Sequence, residues 1–479
     1  MSRLAALVLA VAAFALPAAG CGSGSGAGSA GAGIAPAGAP LYIALDTSFD
    51  SDNWDAAQEL LAKFPDGDRA LDWLEEQLDA EGVDFERDVK PALGPETDVV
   101  ALDLAGEGTF VGLTQSDDRA KLDGLLAEGD EHLISREIDG WTAFAENDAA
   151  LDEFERMRES GSLEGSDDYE TLRGEIDEEG LVRVFVARSA AASAQPPPFY
   201  KQLVGADSAA LAASLTPEDD GIHLQGAVTP VSGDLFADAF EAQLPGRVPG
   251  GVYLYAGAND LERPLGALRD MLAESAPGFE RDLGRAEAEL GVSLDEDVLP
   301  LFTRESAFYI RPGIPIPELT LVTEVDDEAG AVATLDKLAA EVEEYVPDAR
   351  LGSAEAGGVQ AKQLSLNPFV SVYYAVFDGE LVVTTSPQGI ADLRADDNRL
   401  ADDEGFKAAL EAADMPAETT GFVYVNLAEA IPAVLGFAGA GGADVPDLTR
   451  SNLEPLQSLV LYGNTDGDLT TFHGLLAVQ

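Results

Sequence analysis

The sequence is short of the side chains on which covalent cross-links and acid–base chemistry draw. One cysteine, Cys21, stands in 479 residues, which excludes any disulfide within the chain. The fold must be held by its apolar core, and a chain of this length is ample for two cores. Histidine is nearly as scarce: His132, His223 and His473 lie in no metal-ligand or nucleophile–base spacing, and each reads as an ordinary strand or loop residue. The chain also has no glycine-rich phosphate loop before a helix, no His-Glu-x-x-His and no Gly-x-Ser-x-Gly elbow. Catalytic, cofactor and metal residues are therefore assigned to none, and the chain is read as non-enzymatic.

Positive charge is the third shortage. With 28 basic residues against 88 acidic ones, the formal net charge is −60. Such a field repels nucleic acid and acidic polymers and favours cations and basic partners. Nucleic-acid binding is excluded on this ground. The acids read as a solvating surface, with diffuse calcium or magnesium binding as the sharper alternative. Asn464-Thr465-Asp466-Gly467-Asp468 has a faint look of a calcium loop, but the terminal Glu is missing and a hairpin turn explains it.

What is present begins at the amino terminus. Residues 1–20 carry Arg3, an apolar core from Leu4 to Leu16 and then small residues, the pattern of a cleaved signal peptide. Ala18-Ala19-Gly20-Cys21 resembles the bacterial lipobox, in which the new terminal cysteine is diacylglyceryl-modified. Cys21 is accordingly expected to be lipidated and to anchor the protein on the extracytoplasmic face of the cell membrane, two acyl chains giving stable anchoring. Residues 21–38 read as a Gly/Ala/Ser tether spanning on the order of 20–25 Å.

The globular part shows an internal repeat. Gly82-Val83-Asp84-Phe85-Glu86-Arg87-Asp88-Val89-Lys90-Pro91 returns as Gly291-Val292-Ser293-Leu294-Asp295-Glu296-Asp297-Val298-Leu299-Pro300. Apolar residues at helical spacing precede each copy, Leu71, Leu74 and Leu78 in one and Leu283, Ala286 and Leu290 in the other. The glycines are expected to close those helices, Asp84 and Ser293 to cap a short following helix, Ser293 with Glu296 as a capping box, and the prolines to stop it. Asp88 and Asp297 could suggest a symmetric carboxylate site, but local bonding at short capped helices is the simpler reading.

Later landmarks keep their order in both halves. Asp139-Gly140 and Asp378-Gly379 sit between apolar strands and predict type I′ hairpins. Val182, Val184 and Val186 alternate as a strand should. Strands and helices mix without steady alternation, so the class is α+β: a tandem duplication of two related halves with largely antiparallel sheets flanked by helices. The boundaries are a first repeat over 39–228, a connector over 229–250 and a second repeat over 251–479.

The Ala-Pro-Leu-Tyr-Ile opening at Ala39, the Gly-Val-Asp-Phe-Glu-Arg-Asp-Val-Lys-Pro stretch and the Asp-Gly hairpin leading to Leu-Val-Val-Thr-Thr-Ser at Leu381 resemble the bacterial exported proteins that carry domain of unknown function 3352. The resemblance covers nearly all of the mature chain and implies no activity, cofactor or catalytic residue. Function is read as a membrane-anchored binding or interaction protein. A carrier of a lipid or other apolar ligand, in a cavity within or between the halves, is the alternative, and a hydrolase using acidic residues is a third. Two apolar stretches, Ala190 to Tyr200 and Ile431 to Val445 with Val434, Leu435 and Phe437, are the candidate lips for a lipid or protein partner, with plain helix and core as the simpler reading.

Overall fold

Alternating apolar residues, closed by tight turns, pair into antiparallel ladders, and the chain forms two units in the computed structural model. The structure describes residues 30–479 apart from 68, 70–75, 77, 79–82, 107, 128–132, 194–208, 230–237, 277, 315, 368–369, 396–397 and 441–445. Cys21, the signal peptide, Gly82, Leu71, Leu74, His132 and the Pro196–Tyr200 stretch lie outside the described residues. The class is α+β, as the mixed pattern predicts.

The first unit takes residues up to 232 together with 445–457 and 468–479. Its strands are β1 (Leu41–Asp46), β2 (Glu96–Asp103), β3 (Thr109–Thr114), β4 (Ile134–Ile138), β5 (Trp141–Ala145), β6 (Val182–Val186), β7 (Ala210–Glu218) and β8 (Gly221–Thr229). Pairing runs β4, β5, β3, β2, β1, β6, β7, β8, all antiparallel, and the strand Leu469–Val478 adds to β8. One face carries the core, where Phe154, Leu151, Tyr169 and Leu172 from two helices meet Tyr42, Val100, Val111, Trp141 and Phe185. Tyr169 stands edge-on to both Tyr42 and Phe185, the arrangement that ring quadrupoles favour.

The second unit covers 233–444 and 458–467. It contains β9 (Phe240–Glu241), β10 (Leu254–Ala258), β11 (Ser306–Arg311), β12 (Glu318–Glu324), β13 (Arg350–Ala356), β14 (Val359–Ser365), β15 (Ser371–Phe377), β16 (Glu380–Thr384), β17 (Glu418–Thr419), β18 (Gly421–Asn426) and most of β19 (Leu456–Asp466); the final strand described above is β20. Pairing runs β13, β14, β15, β16, β12, β11, β10, β18, β19. Apart from the extra β13–β14 hairpin this is the order of the first unit from β4 to β7. Both Asp-Gly turns have positive φ at the two central residues, Asp139 with Gly140 and Asp378 with Gly379, as a type I′ hairpin requires.

The repeated stretch forms a single π-helical turn in each unit, Phe85–Val89 and Leu294–Val298. Asp84 and Ser293 cap them, accepting from the amides of Arg87 and Glu296. The return bond differs from the expected capping box. Asp88 accepts from the Asp84 amide at 3.1 Å and Asp297 from the Ser293 amide at 2.8 Å, so the position four residues on does the work expected of Glu296. The wider π turn is the reason, because its longer ring brings that position back over the cap. Gly291 is left-handed and closes the preceding helix, while Pro300 opens a following 3-10 turn instead of ending the chain's helical course.

The tether ends sooner than its composition implies. Ala30–Gly33 is a 3-10 turn, and Ala32, Ala35 and Ala39 are fully buried in the core of the first unit. The Gly31 amide donates to Glu96 at 2.8 Å, the Leu163 amide to the Ala35 carbonyl at 2.7 Å and the Ala37 amide to Gly161 at 3.0 Å. Small side chains that read as a flexible spacer are here what lets a backbone lie close on a core. The second unit repeats the arrangement in a stretch assigned from sequence to the connector. Leu244–Gly246 is a 3-10 turn, the amides of Gln243 and Leu244 donate to Glu305, the Leu400 amide to Val248 and the Gly250 amide to Asn398. Pro36 and Pro249 each make an isolated bridge, to Ser162 and Arg399.

Replacing Ser293 with alanine removes the cap of its π turn; urea unfolding should show a loss of about 1 kcal/mol.

Candidate functional site

The alternating valines of β6 point away from the first unit's core. Arg183 and Phe185 are the buried pair, and Val182, Val184 and Val186 are half-buried on the reverse face. On that face Val182 pairs with Leu215, and Pro217, Ile222 and Leu476 stand in one row across β7, β8 and β20. The helix Asp52–Ala62 crosses above them and presents Ala57, Leu60 and Leu61, with Phe64 just beyond its end. Between helix and sheet is a cavity of about 390 Å³ whose lining is apolar throughout, completed by Leu181 and Val478.

Both ends of the roof are fastened. At its start Ser51 donates to the Asp46 carboxylate at 2.7 Å, and the Trp54 indole donates to the Asp46 carbonyl at 2.8 Å. Past its end the Lys63 ammonium donates to the carbonyls of Asp219 and Val478 at 2.6 and 2.9 Å. The rim beyond is acidic, a hollow bordered by Asp52, Asp55, Glu59, Glu218, Asp219 and Asp220. An apolar slot of this size, with its few polar groups at the mouth, suits an apolar ligand.

The second unit has an apolar groove of its own. Val425, Leu254, Ile310 and Leu319 form one register row over four strands, and Ala430, Ala433, Val434 and Phe437 of the helix Leu427–Ala440 lie over it. Its volume is about 320 Å³. Val434 and Phe437, named from sequence as a candidate lip, are exposed at 64% and 45%, as is nearby Ile314. The helix carries one charged residue, Glu429. No helix among the described residues is long and apolar enough to cross a membrane.

A second feature of the first unit went unread in the sequence. Arg183, inside the core face of β6, pairs with Glu96 at 2.6 Å, both nearly inaccessible. Asp98, fully buried, lies on the same side, and Ala44 of β1 is flanked by Asp98 on one neighbour and Arg183 on the other. Burial, then the adjacent Glu96, pushes the Asp98 carboxyl well above the usual carboxylate range. Burial raises Glu96 as well, against the pull of Arg183. In the second unit the matching positions around Gly257 are Ala307 and Phe422, so an aromatic core stands where the first unit places a buried ion pair and acid.

The remaining sequence candidates have local explanations. Asp88 is bonded by Arg87 and Lys121, which hold its carboxyl far below the usual range. His223 and Asp220 are 3.0 Å apart and Glu218 approaches at 3.8 Å, the one convergent group of three possible metal ligands among the described residues; both carboxylates are exposed on the β7–β8 turn. His473 faces Gln225 across β8 and β20, and burial lowers its pKa. Gly467 forms the turn between β19 and β20, so the faint calcium motif is the hairpin it resembled.

A family model described as "Protein of unknown function (DUF3352)" matches residues 127–461. The chain belongs to that family. No curated protein matches it. Among solved structures it is similar to crystal form IV of TP0453, at 12% identity over 46% of this chain and 74% of that one with a TM-score of 0.26. Crystal form I of TP0453 gives 11% identity, 48% and 77% coverage and 0.25. Likeness at that level carries no functional argument, and the family description adds no activity to the geometry.

Arg183→Leu leaves two carboxyls buried without their cation. It should cost about 3–5 kcal/mol in urea unfolding at pH 7. With the Arg gone both acids titrate higher, so the deficit is present at neutral pH and shrinks as the pH falls toward 5 and they take up protons.

Proposed function

We propose that this protein is a lipid-anchored extracytoplasmic carrier that holds an apolar chain, such as an acyl tail, in the pocket beneath the helix Asp52–Ala62. The observation that carries the reading is the cavity itself: about 390 Å³, wholly apolar in its lining, with a roof fixed at both ends. The slot opens to solvent, so when unoccupied it leaves an apolar wall exposed to water, and an apolar occupant removes that wall from water. The reading needs no catalytic residue and assigns none, and the chain's charge favours neutral or cationic ligands over anionic ones. An acid-residue hydrolase finds less support, because the adjacent buried carboxyls Glu96 and Asp98, both raised by burial, border none of the cavities described above.

The proposal includes Cys21 as the lipidated residue and the membrane as its first partner. It also includes a tandem duplication. Equal strand order, equal π turns and the matched capture of the leading segment by Glu96 and Glu305 support two copies of one unit, the second enlarged by β13 and β14. A second reading, a surface for a protein partner, is favoured by the exposed apolar helix Leu427–Ala440.

Native mass spectrometry with organic extraction on protein purified from its own or a related host tests the carrier. A stoichiometric apolar ligand is expected, and Ile222→Trp, which fills the cavity, should lower its occupancy at least tenfold. A ligand-free protein whose Ile222→Trp variant binds fluorescent fatty acid as well as the parent does would sink the reading. Independently, Cys21→Ser should shift the protein from the detergent phase to the aqueous phase on Triton X-114 partitioning; unchanged partitioning would remove the anchor.

A further inference from the structure

We propose that residues 30–39 form a proton-gated latch, seated on the first unit while Asp98 is protonated and released when it ionises. The inference stands apart from the carrier reading and starts from a contact. Gly31 lies directly over Asp98: a Cβ built on Gly31 would fall 1.5 Å from one carboxylate oxygen and 3.1 Å from the Tyr42 hydroxyl. The same residue gives its amide to Glu96. The leading segment thus lies directly against two acids and a phenol, one of the acids being the partner of Arg183.

The groups that face Asp98 can be named element by element. Tyr42 comes from β1, Glu96 from its own strand and Arg183 from β6; Asp46 acts on Glu96 from β1, and Tyr169 acts on Tyr42 from the helix Asp167–Arg173. Arg183 is already committed to Glu96 and to the carbonyls of Glu178 and Gly180. One guanidinium therefore serves two carboxyls. With Asp98 neutral the buried charges cancel; with Asp98 ionised a net negative charge is sealed under Gly31, Ala32 and Ala35. Lifting the segment lets water reach it.

The second unit is the control within the same molecule. Its leading segment docks through the same kinds of bond, on Glu305, Leu400 and Asn398, but the place of Asp98 is taken by Ala307 and that of Arg183 by Phe422. Seating the segment requires neither. The second segment meets other buried acids, Glu305 at its amides and Glu380 paired with Arg247 at 3.1 Å, both raised by burial, so what is peculiar to the first unit is the placement of Asp98 beside Arg183 under Gly31.

Asp98 binds its proton more tightly with the segment seated, so seating is favoured at low pH and lost as the pH rises through its raised value. If Cys21 is anchored, release would add ten residues to the free chain, extending its reach by up to about 35 Å.

Hydrogen exchange on the full-length protein from pH 5 to 9, corrected for intrinsic exchange, provides the test. The amides of Ile34, Ala35, Ala37 and Ala39 should open up to tenfold more per pH unit across the transition, more steeply than those of Arg247, Val248 and Gly250, whose segment meets Glu305 and Glu380 instead of Asp98. Asp98→Asn and Asp98→Ala, the latter copying Ala307, should keep the first set protected at every pH. The proposal is overturned if both sets respond alike, if the first set is flat over the whole range, or if Asp98→Asn retains the wild-type slope. It is equally overturned if Asp98→Ala frees the segment at every pH while the second set stays protected, since Asp98 would then be plain support.

Discussion

A buried carboxylate receiving the backbone amides of an incoming segment is the interaction on which each unit depends. Glu96 takes the amide of Gly31, and Glu305 takes those of Gln243 and Leu244. Hydrogen bonds to a charged acceptor are about twice as strong as neutral ones, and they also remove the penalty of burying backbone N–H groups without a partner. Once the segment is held, its alanines or its Leu244 and Val248 close the end of the core, and the first strand enters at a fixed register. In the first unit that same carboxylate must also satisfy Arg183, which ties a cation buried in the core to the place where the chain arrives.

The sheet of the first unit is used on both faces. Arg183 and Phe185 serve the core, and Val182 on the opposite side serves the cavity, so neighbouring residues of one strand belong to different tasks. A period of two makes this unavoidable. Any shift of β6 by one residue would drive Arg183 into the apolar slot and Val182 toward Glu96, which is why register there is strongly specified. The pinned roof helix and the ion pair thus constrain each other through the backbone of a single strand.

Much of the architecture was legible. The repeated ten-residue motif, the two Asp-Gly hairpins and the order of the landmarks reflect local backbone chemistry, which sequence displays directly. What stayed hidden depended on partners distant in the chain. Ala30 to Ala39 carries mostly Gly and Ala, with Ile34 its one large side chain, and looks like a spacer until Leu163 and Glu96 are seen to bind it. The Val182–Val186 alternation announced a strand without saying which face was core. The cavity combines Leu60, Ile222 and Leu476, residues of ordinary apolar character whose convergence no spacing rule encodes. Val434 and Phe437 were legible as an apolar stretch, and only the lie of the helix over β10 and β18 reveals that they border an open groove.

The first unit is stitched from remote parts of the chain: Leu476 and Val478 of β20 close a wall begun by Leu181 and Val182. Made amino end first, the chain completes the whole second unit before that wall can be laid. The slot therefore has no finished side until the carboxy-terminal strand pairs with β8, and its closure is among the last steps of folding rather than the first.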